Sequence, residues 1–160
     1  MWYRFLGLIL LSVSCNTTLA AQANPDNTEY YATYYVVIAG KGAAYTPLQK
    51  QMYSLAKQLN MEVDTMGRTY DPGKKLIALP DNAEDEIYAG AYYPRRYPSV
   101  SLSLEYLGYY TSHKTDDKTI ALVAGIYGNE KEARKALAVI KRKAPGAYSL
   151  KAKVYLGCMH

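Results

Sequence analysis

The hydrophobic and polar positions of this chain repeat one order twice, in which an apolar run is followed by an amphipathic stretch and then by an alternating run. The first copy starts with residues 34–40, continues through a helix that begins near Pro47, and ends in the alternating residues 61–65. The second copy starts with residues 119–125 and ends in residues 148–156. Short apolar runs indicate buried strands and strict alternation indicates half-buried ones. The pattern therefore predicts two βαβ units.

Each predicted helix has a start signal and one apolar stripe. Thr46, Pro47 and Gln49 have the order of a capping box, and Asn129 is an amide N-cap for the second helix. The stripes, at spacings of three or four, are formed by Leu48, Met52, Leu55 and Leu59 and by Ala133, Ala136, Leu137 and Ile140. Because each helix must bury its stripe, we predict an α+β fold of ferredoxin-like βαβ-repeat architecture. Its antiparallel sheet carries both helices on one face and leaves the other face open for binding.

The N-terminal residues have the organisation of an export signal. A positive residue, Arg4, precedes an uncharged apolar run at residues 5–14, which is too short to span a bilayer and suits a signal-peptide core. Cys15 follows small residues as in a loose lipobox, which predicts lipidation of this cysteine. Small residues at 18–20 and 21–23 predict ordinary signal-peptide cleavage instead, and both routes stay open. Either route places the protein in the periplasm, or on the outer membrane as a lipoprotein.

One domain is expected to follow this leader of residues 1–23. Residues 24–32 have the polar composition of a flexible tether. The domain is expected at residues 33–158, with residues 66–117 as an insertion between the two copies. Since the chain has two cysteines and Cys15 is acylated or removed, no intrachain disulfide is expected for Cys158.

Charge and motifs narrow the class of function. The formal net charge is +5, and for an exported protein the accessible polyanions are lipid headgroups and wall polymers, so nucleic acid is not expected as a partner. Membrane contact is expected only through the lipid anchor. The sequence has no motif of a hydrolase, no phosphate-binding loop and no Cys/His metal cluster. It therefore indicates no enzyme, no cofactor and no metal.

The segment at residues 120–133 resembles the second half of a bacterial SPOR domain, in which a V-x-V-G-x-F/Y strand leads through a polar turn into a helix rich in Glu and Ala. Residues 35–40 are similar, with residues 41–45 in place of the usual turn. SPOR domains are small periplasmic modules that bind peptidoglycan glycan strands stripped of peptides. The resemblance implies a non-catalytic, peptidoglycan-binding module of the cell envelope. Residues 66–117 lie outside it and could cover the sheet groove through which the family binds.

Tyrosine is the compositional outlier, with 18 Tyr against one Trp and one Phe. A flat ring with a hydroxyl at its rim suits stacking on sugars or on a protein partner. Tyr35 and Tyr127 are candidate ligand-binding residues of the open sheet face. The insertion contributes further candidates, namely Tyr92, Tyr93, Arg95, Arg96 and Tyr97.

Two interpretations of this Tyr/Arg segment are open. In the first it is the docking surface of an inhibitor, an immunity protein or an accessory subunit, and its guanidinium groups bind carboxylates or phosphates. In the second its tyrosines pack over the sheet and its arginines pair with Glu84, Asp85 or Glu86. Residues 99–110 are equally open, because Val100, Leu102, Leu104 and Tyr106 alternate like a strand, whereas Ser99 as an N-cap would begin a helix.

Overall fold

The computed structural model describes residues 30–111 and 118–157. The predictions for the leader, for Cys15 lipidation and for an unpaired Cys158 concern residues outside these ranges. The elements in chain order are β1 (Tyr31–Gly42), α1 (Tyr45–Leu59), β2 (Thr69–Asp71), β3 (Leu76–Ala78), β4 (Ser103–Tyr106), a 3-10 helix (Leu107–Tyr109), β5 (Ile120–Tyr127), α2 (Glu130–Lys141) and β6 (Tyr148–Tyr155). β1 thus begins within the stretch predicted as tether.

Four strands form one sheet in the order β4-β5-β1-β6, and every neighbouring pair is antiparallel. The connections β1–α1–β4 and β5–α2–β6 each skip one strand, so two split βαβ units interleave as in ferredoxin-like folds. Leu48 and Met52 of α1 share one hydrophobic cluster with Ala133 and Ile140 of α2. The α+β prediction, with both helices on one face, is confirmed.

The helix start signals give one confirmation and one correction. The Asn129 side chain accepts a hydrogen bond from the Glu132 backbone N–H at 2.9 Å, as predicted for an N-cap. The capping box at Thr46 is wrong, because α1 begins one residue earlier at Tyr45, and no side chain caps it. Gln49 donates instead to the Tyr45 hydroxyl at 3.2 Å.

The strand that completes the first βαβ unit is not the predicted one. Residues 61–65 make only a parallel bridge, Val63 to Leu102, and β4 from the insertion takes the sheet position. All four residues of β4 are buried, Glu105 among them with its partner Arg68, whereas Glu62 of the predicted strand is exposed. The insertion is therefore part of the domain, and the strand interpretation of residues 99–110 is confirmed at their centre.

The second face of the sheet is covered at its centre. Residues there, among them Ile38 and Val123, are fully buried, whereas Tyr148 and Leu150 of β6 are half-buried. They pack in a second hydrophobic cluster with Leu107 and Tyr110, which belong to the insertion. The expectation of an open sheet face is wrong, because the insertion supplies a layer that the two βαβ units alone lack. Among the described residues, no helix is both long and apolar enough to cross a membrane.

Candidate functional site

The structure separates the residues of the Tyr/Arg segment by burial. Tyr97 is 57% exposed, whereas Arg95 is 3% exposed. Tyr92, Tyr93 and Arg96 are half-buried. The segment thus presents one tyrosine to solvent and withdraws one guanidinium from it, which removes Arg95 from any external docking surface.

Neither arginine pairs with Glu84, Asp85 or Glu86, the partners that the sequence suggested. Arg95 Nη1 donates to Ser101 Oγ at 2.6 Å and to the Ser101 carbonyl at 3.1 Å. Arg96 donates to the Gly157 carbonyl at 2.7 Å and to the Tyr93 hydroxyl at 2.6 Å. That interpretation is wrong in its partners, because Glu84, Asp85 and Glu86 are exposed, whereas the arginines donate to residues 93, 101 and 157.

Glu105 of β4 is the centre of a buried polar cluster that ties the segments of Arg68 and Tyr92 to this strand. Arg68 Nη1 and Nη2 each donate to a different Glu105 oxygen at 2.7 Å, which makes a bidentate pair. Ser103 Oγ and the Tyr92 hydroxyl donate at 2.6 Å. Glu105 and Arg68 escaped sequence reasoning, although an acidic residue inside an alternating apolar strand was the available signal.

The electrostatics fix the protonation states in this cluster. Burial by itself raises the pKa of Glu105, but the hydrogen bonds and charge of Arg68, with the charge of Arg95, hold that pKa below its ordinary value. Burial and the Glu105 charge raise the pKa of Tyr92 well above its ordinary value. Glu105 is therefore an ionised acceptor and Tyr92 a protonated donor, and their hydrogen bond cross-links β4 to the segment of Tyr92.

Many of the tyrosine side chains pack against each other in or beside the hydrophobic core. The Tyr92 ring lies 4.7 Å from that of Tyr106 and 4.9 Å from that of Tyr109, centroid to centroid. Tyr45 and Tyr70 stack at 4.4 Å. Offset and edge contacts of this kind stabilise packing beyond the area that they bury. These rings are therefore structural.

Tyr35 and Tyr127 lie opposite each other in the β1/β5 pair, on the helix-side face. Tyr127 is 7% exposed, and its ring folds over Gly125, where an added Cβ would lie 2.6 Å from the hydroxyl. The expectation that the two tyrosines lie on an open face is wrong, because alternation along β1 places Tyr35 on the same face as Val37, under the helices. Only Tyr35 reaches the solvent border.

That border leads to a surface that we call the tyrosine–lysine strip. It consists of three directly paired positions of β1 and β6: Tyr31 with Tyr155, Thr33 with Lys153, and Tyr35 with Lys151. β5 ends at Tyr127 opposite Tyr35, so residues 31–34 of β1 pair with β6 alone. The strip therefore continues the helix-side face beyond the four-stranded region, on a projecting two-stranded ribbon.

The strip combines aromatic rings with uncompensated positive charge. The Tyr31 and Tyr155 ring centroids are 5.2 Å apart, and Tyr31 is 47% exposed. Lys151 and Lys153 are exposed, and within residues 30–111 and 118–157 neither forms an ion pair. Of this surface only Tyr35 was predicted. The outward alternation of Lys151, Lys153 and Tyr155 in the last strand was the signal for the rest.

No group of three metal-ligating side chains occurs in the part of the chain that the structure describes. Comparison of the chain with family models, with curated proteins and with solved structures finds no match. The SPOR resemblance thus rests on the strand–helix pattern of the sequence alone.

Proposed function

We propose that this protein is a non-catalytic module of the bacterial cell envelope that binds peptidoglycan glycan strands stripped of peptides. The observation that carries the proposal is the tyrosine–lysine strip, where the exposed ring of Tyr31 is paired in register with the half-buried ring of Tyr155. Beside them are two exposed lysines that form no ion pair with any described residue. The export signal in residues 1–23 supports a periplasmic or outer-membrane location.

The chemistry of the ligand matches the strip. A pyranose ring offers a C–H face that stacks on tyrosine, and the lactyl group of N-acetylmuramic acid carries a free carboxylate once its peptide is removed. From Tyr31 to Tyr35 the strip runs about 13 Å, at roughly 3.3 Å per strand residue, which is long enough for more than one sugar ring. Lys151 and Lys153 lie along its second strand to meet the carboxylates.

Binding without catalysis is proposed because the strip contains no carboxylate and no histidine. The carboxylate of Glu105, buried elsewhere, has both oxygens engaged by donors. Most glycan-cleaving sites have two carboxyl groups that flank one bond. The residues of the strip can hold and orient a polymer, but they offer no acid–base pair.

The test is co-sedimentation of the protein with purified sacculi, with and without amidase pretreatment. We expect amidase treatment to raise binding, and the double variant Tyr31→Ala/Tyr155→Ala to lose most of it. Tyr53→Ala is the matched control, since Tyr53 is an exposed tyrosine of α1 outside the strip. Equal binding by the double variant, or binding that ignores amidase treatment, would contradict the proposal.

A second candidate function is protein docking, as by an inhibitor, an immunity protein or an accessory subunit. The observation that favours it is a set of exposed apolar side chains within or beside the Tyr/Arg segment: Ile87, Tyr97 and Val100. Docking here would be lost in Tyr97→Ala/Val100→Ser while sacculus binding stayed intact. Loss of sacculus binding in that variant would instead place the glycan contact on the insertion.

A further inference from the structure

The cluster around Glu105 holds more positive than negative charge. Among the described residues, the buried charged side chains are Arg68, Arg95 and Glu105. Arginine does not lose its proton in proteins, so two guanidinium groups face one carboxylate and leave one positive charge in excess. A buried charge without compensation is strongly unfavourable. The fold therefore requires a further source of negative charge or of hydrogen-bond acceptors.

Glu105 has no acceptor capacity left for the Arg95 side chain. Its two oxygens already receive five donors, two from Arg68, one each from Ser103 and Tyr92, and the Arg95 backbone N–H at 3.5 Å. Arg95 Nε lies 4.0 Å from Glu105 Oε1, which is beyond hydrogen-bond distance. The Arg95 guanidinium thus forms a long ion pair with the carboxylate but no side-chain hydrogen bond to it.

One edge of the Arg95 guanidinium is free. Nη1 is engaged by Ser101, but Nε and Nη2 have no hydrogen-bond partner although both are buried. These two nitrogens share an edge whose parallel N–H bonds match the two oxygens of a carboxylate or a phosphate. We propose that this edge of Arg95 binds a small oxyanion, a group with two oxygens on one carbon or phosphorus, beside β4.

The neighbouring residues strengthen the inference. Within the described ranges, the buried side-chain atoms without a partner are Arg95 Nε and Nη2, Arg96 Nε and Ser99 Oγ, all from residues 95–99. This segment is held in place, because Ser99 exchanges two backbone hydrogen bonds of 3.0 Å with Ile126. Unused donors on an anchored segment indicate a missing acceptor rather than a loose loop.

The test uses the full-length protein and observes the arginine Nε–H resonances by NMR during titration with sodium phosphate or sodium acetate. Sodium chloride at matched ionic strength is the salt control. We expect one Nε–H resonance to shift saturably with an oxyanion and not with chloride, and the melting temperature to rise in parallel. The tighter of the two anions distinguishes a phosphate ligand from a carboxylate ligand.

The matched variants are Arg95→Lys, which keeps the charge and removes the two-pronged edge, and Arg134→Lys, which alters an exposed arginine of α2. Arg95→Lys should weaken anion binding at least about tenfold, since it loses a charge-assisted hydrogen bond. Arg134→Lys should leave it unchanged. If Arg95→Lys does not fold, anion binding is tested by the titration of the wild type and by the same titration of Ser99→Ala.

The proposal is overturned if no Nε–H resonance responds to either oxyanion, or if cross-relaxation with water shows that a water molecule occupies this edge. A response that survives in Arg95→Lys overturns it as well. The oxyanion site and the tyrosine–lysine strip share no residue, so failure of one leaves the other standing.

Discussion

The cluster around Glu105 and the tyrosine–lysine strip are built from similar residues and differ in burial. Both combine tyrosine with basic side chains. In the cluster, Arg68 and Tyr92 donate their hydrogen bonds to the buried carboxylate of Glu105. In the strip, Lys151 and Lys153 face solvent without an acidic partner among the described residues. Burial therefore turns the same chemistry into a structural cross-link in one region and leaves it available for a ligand in the other.

The largest effect expected from this comparison is on stability, in Glu105→Gln. The variant leaves Arg68 and Arg95 buried without a negative charge, so we expect a loss of about 3–5 kcal/mol in the free energy of unfolding. Urea denaturation measures it, with the exposed Glu86→Gln as control. A loss below about 1 kcal/mol, within the range of ordinary surface changes, would show that the cluster is not a structural cross-link.

Acid should weaken the same cluster. Because the pKa of Glu105 in the folded protein lies below its ordinary value of 4.5, its stabilising contribution is complete above that pH. The contribution is lost as the pH falls from there through the lower folded pKa. We expect the difference in stability between wild type and Glu105→Gln to shrink over this window. A difference that stays constant down to low pH would contradict the ionised assignment.

Tyr92→Phe should have an intermediate effect. The change removes a donor to Glu105 and leaves the Tyr106 N–H without its acceptor. We expect a loss of about 1–3 kcal/mol in the free energy of unfolding, measured by thermal and urea denaturation. Tyr53→Phe, at an exposed position, should be neutral. If both variants lost the same free energy of unfolding, buried and exposed tyrosines would not differ in their contribution to stability.

The smallest effect on stability is expected for Lys151→Gln/Lys153→Gln. Exposed lysines without ion pairs contribute little, so the free energy of unfolding should change by less than about 0.5 kcal/mol. Affinity for the glycan carboxylates should fall, and its dependence on salt should weaken. Normal affinity with an unchanged salt dependence would remove the lysines from the proposed contact.

The elements that the sequence predicted are those set by local periodicity. The stripe of α1, the Asn129 cap and the alternation of the last strand depend on residues within a few positions of each other. The predictions of the fourth strand and of the open sheet face failed, because both depend on segments that are distant in sequence. β4 displaced residues 61–65 from the sheet, and Leu107 and Tyr110 covered the centre of its second face.

In the candidate site, too, features set by local periodicity could be predicted and features set by distant segments could not. The pair between Arg68 and Glu105 spans 37 positions, so no local pattern announces that Tyr92 will be buried with it. The strip was partly visible, because Lys151, Lys153 and Tyr155 share one face of β6. Its completion by Tyr31 required the register of β1 against β6, which only the folded chain provides.

The most direct test of the central claim, that the strip binds glycan, is an NMR titration of the isotope-labelled protein with a defined peptide-free peptidoglycan oligosaccharide. We expect saturable shifts of backbone amides at residues 31–35 and 151–155, with no change around Glu105. Shifts confined to residues 87–100, or no saturable shift at all, would contradict it.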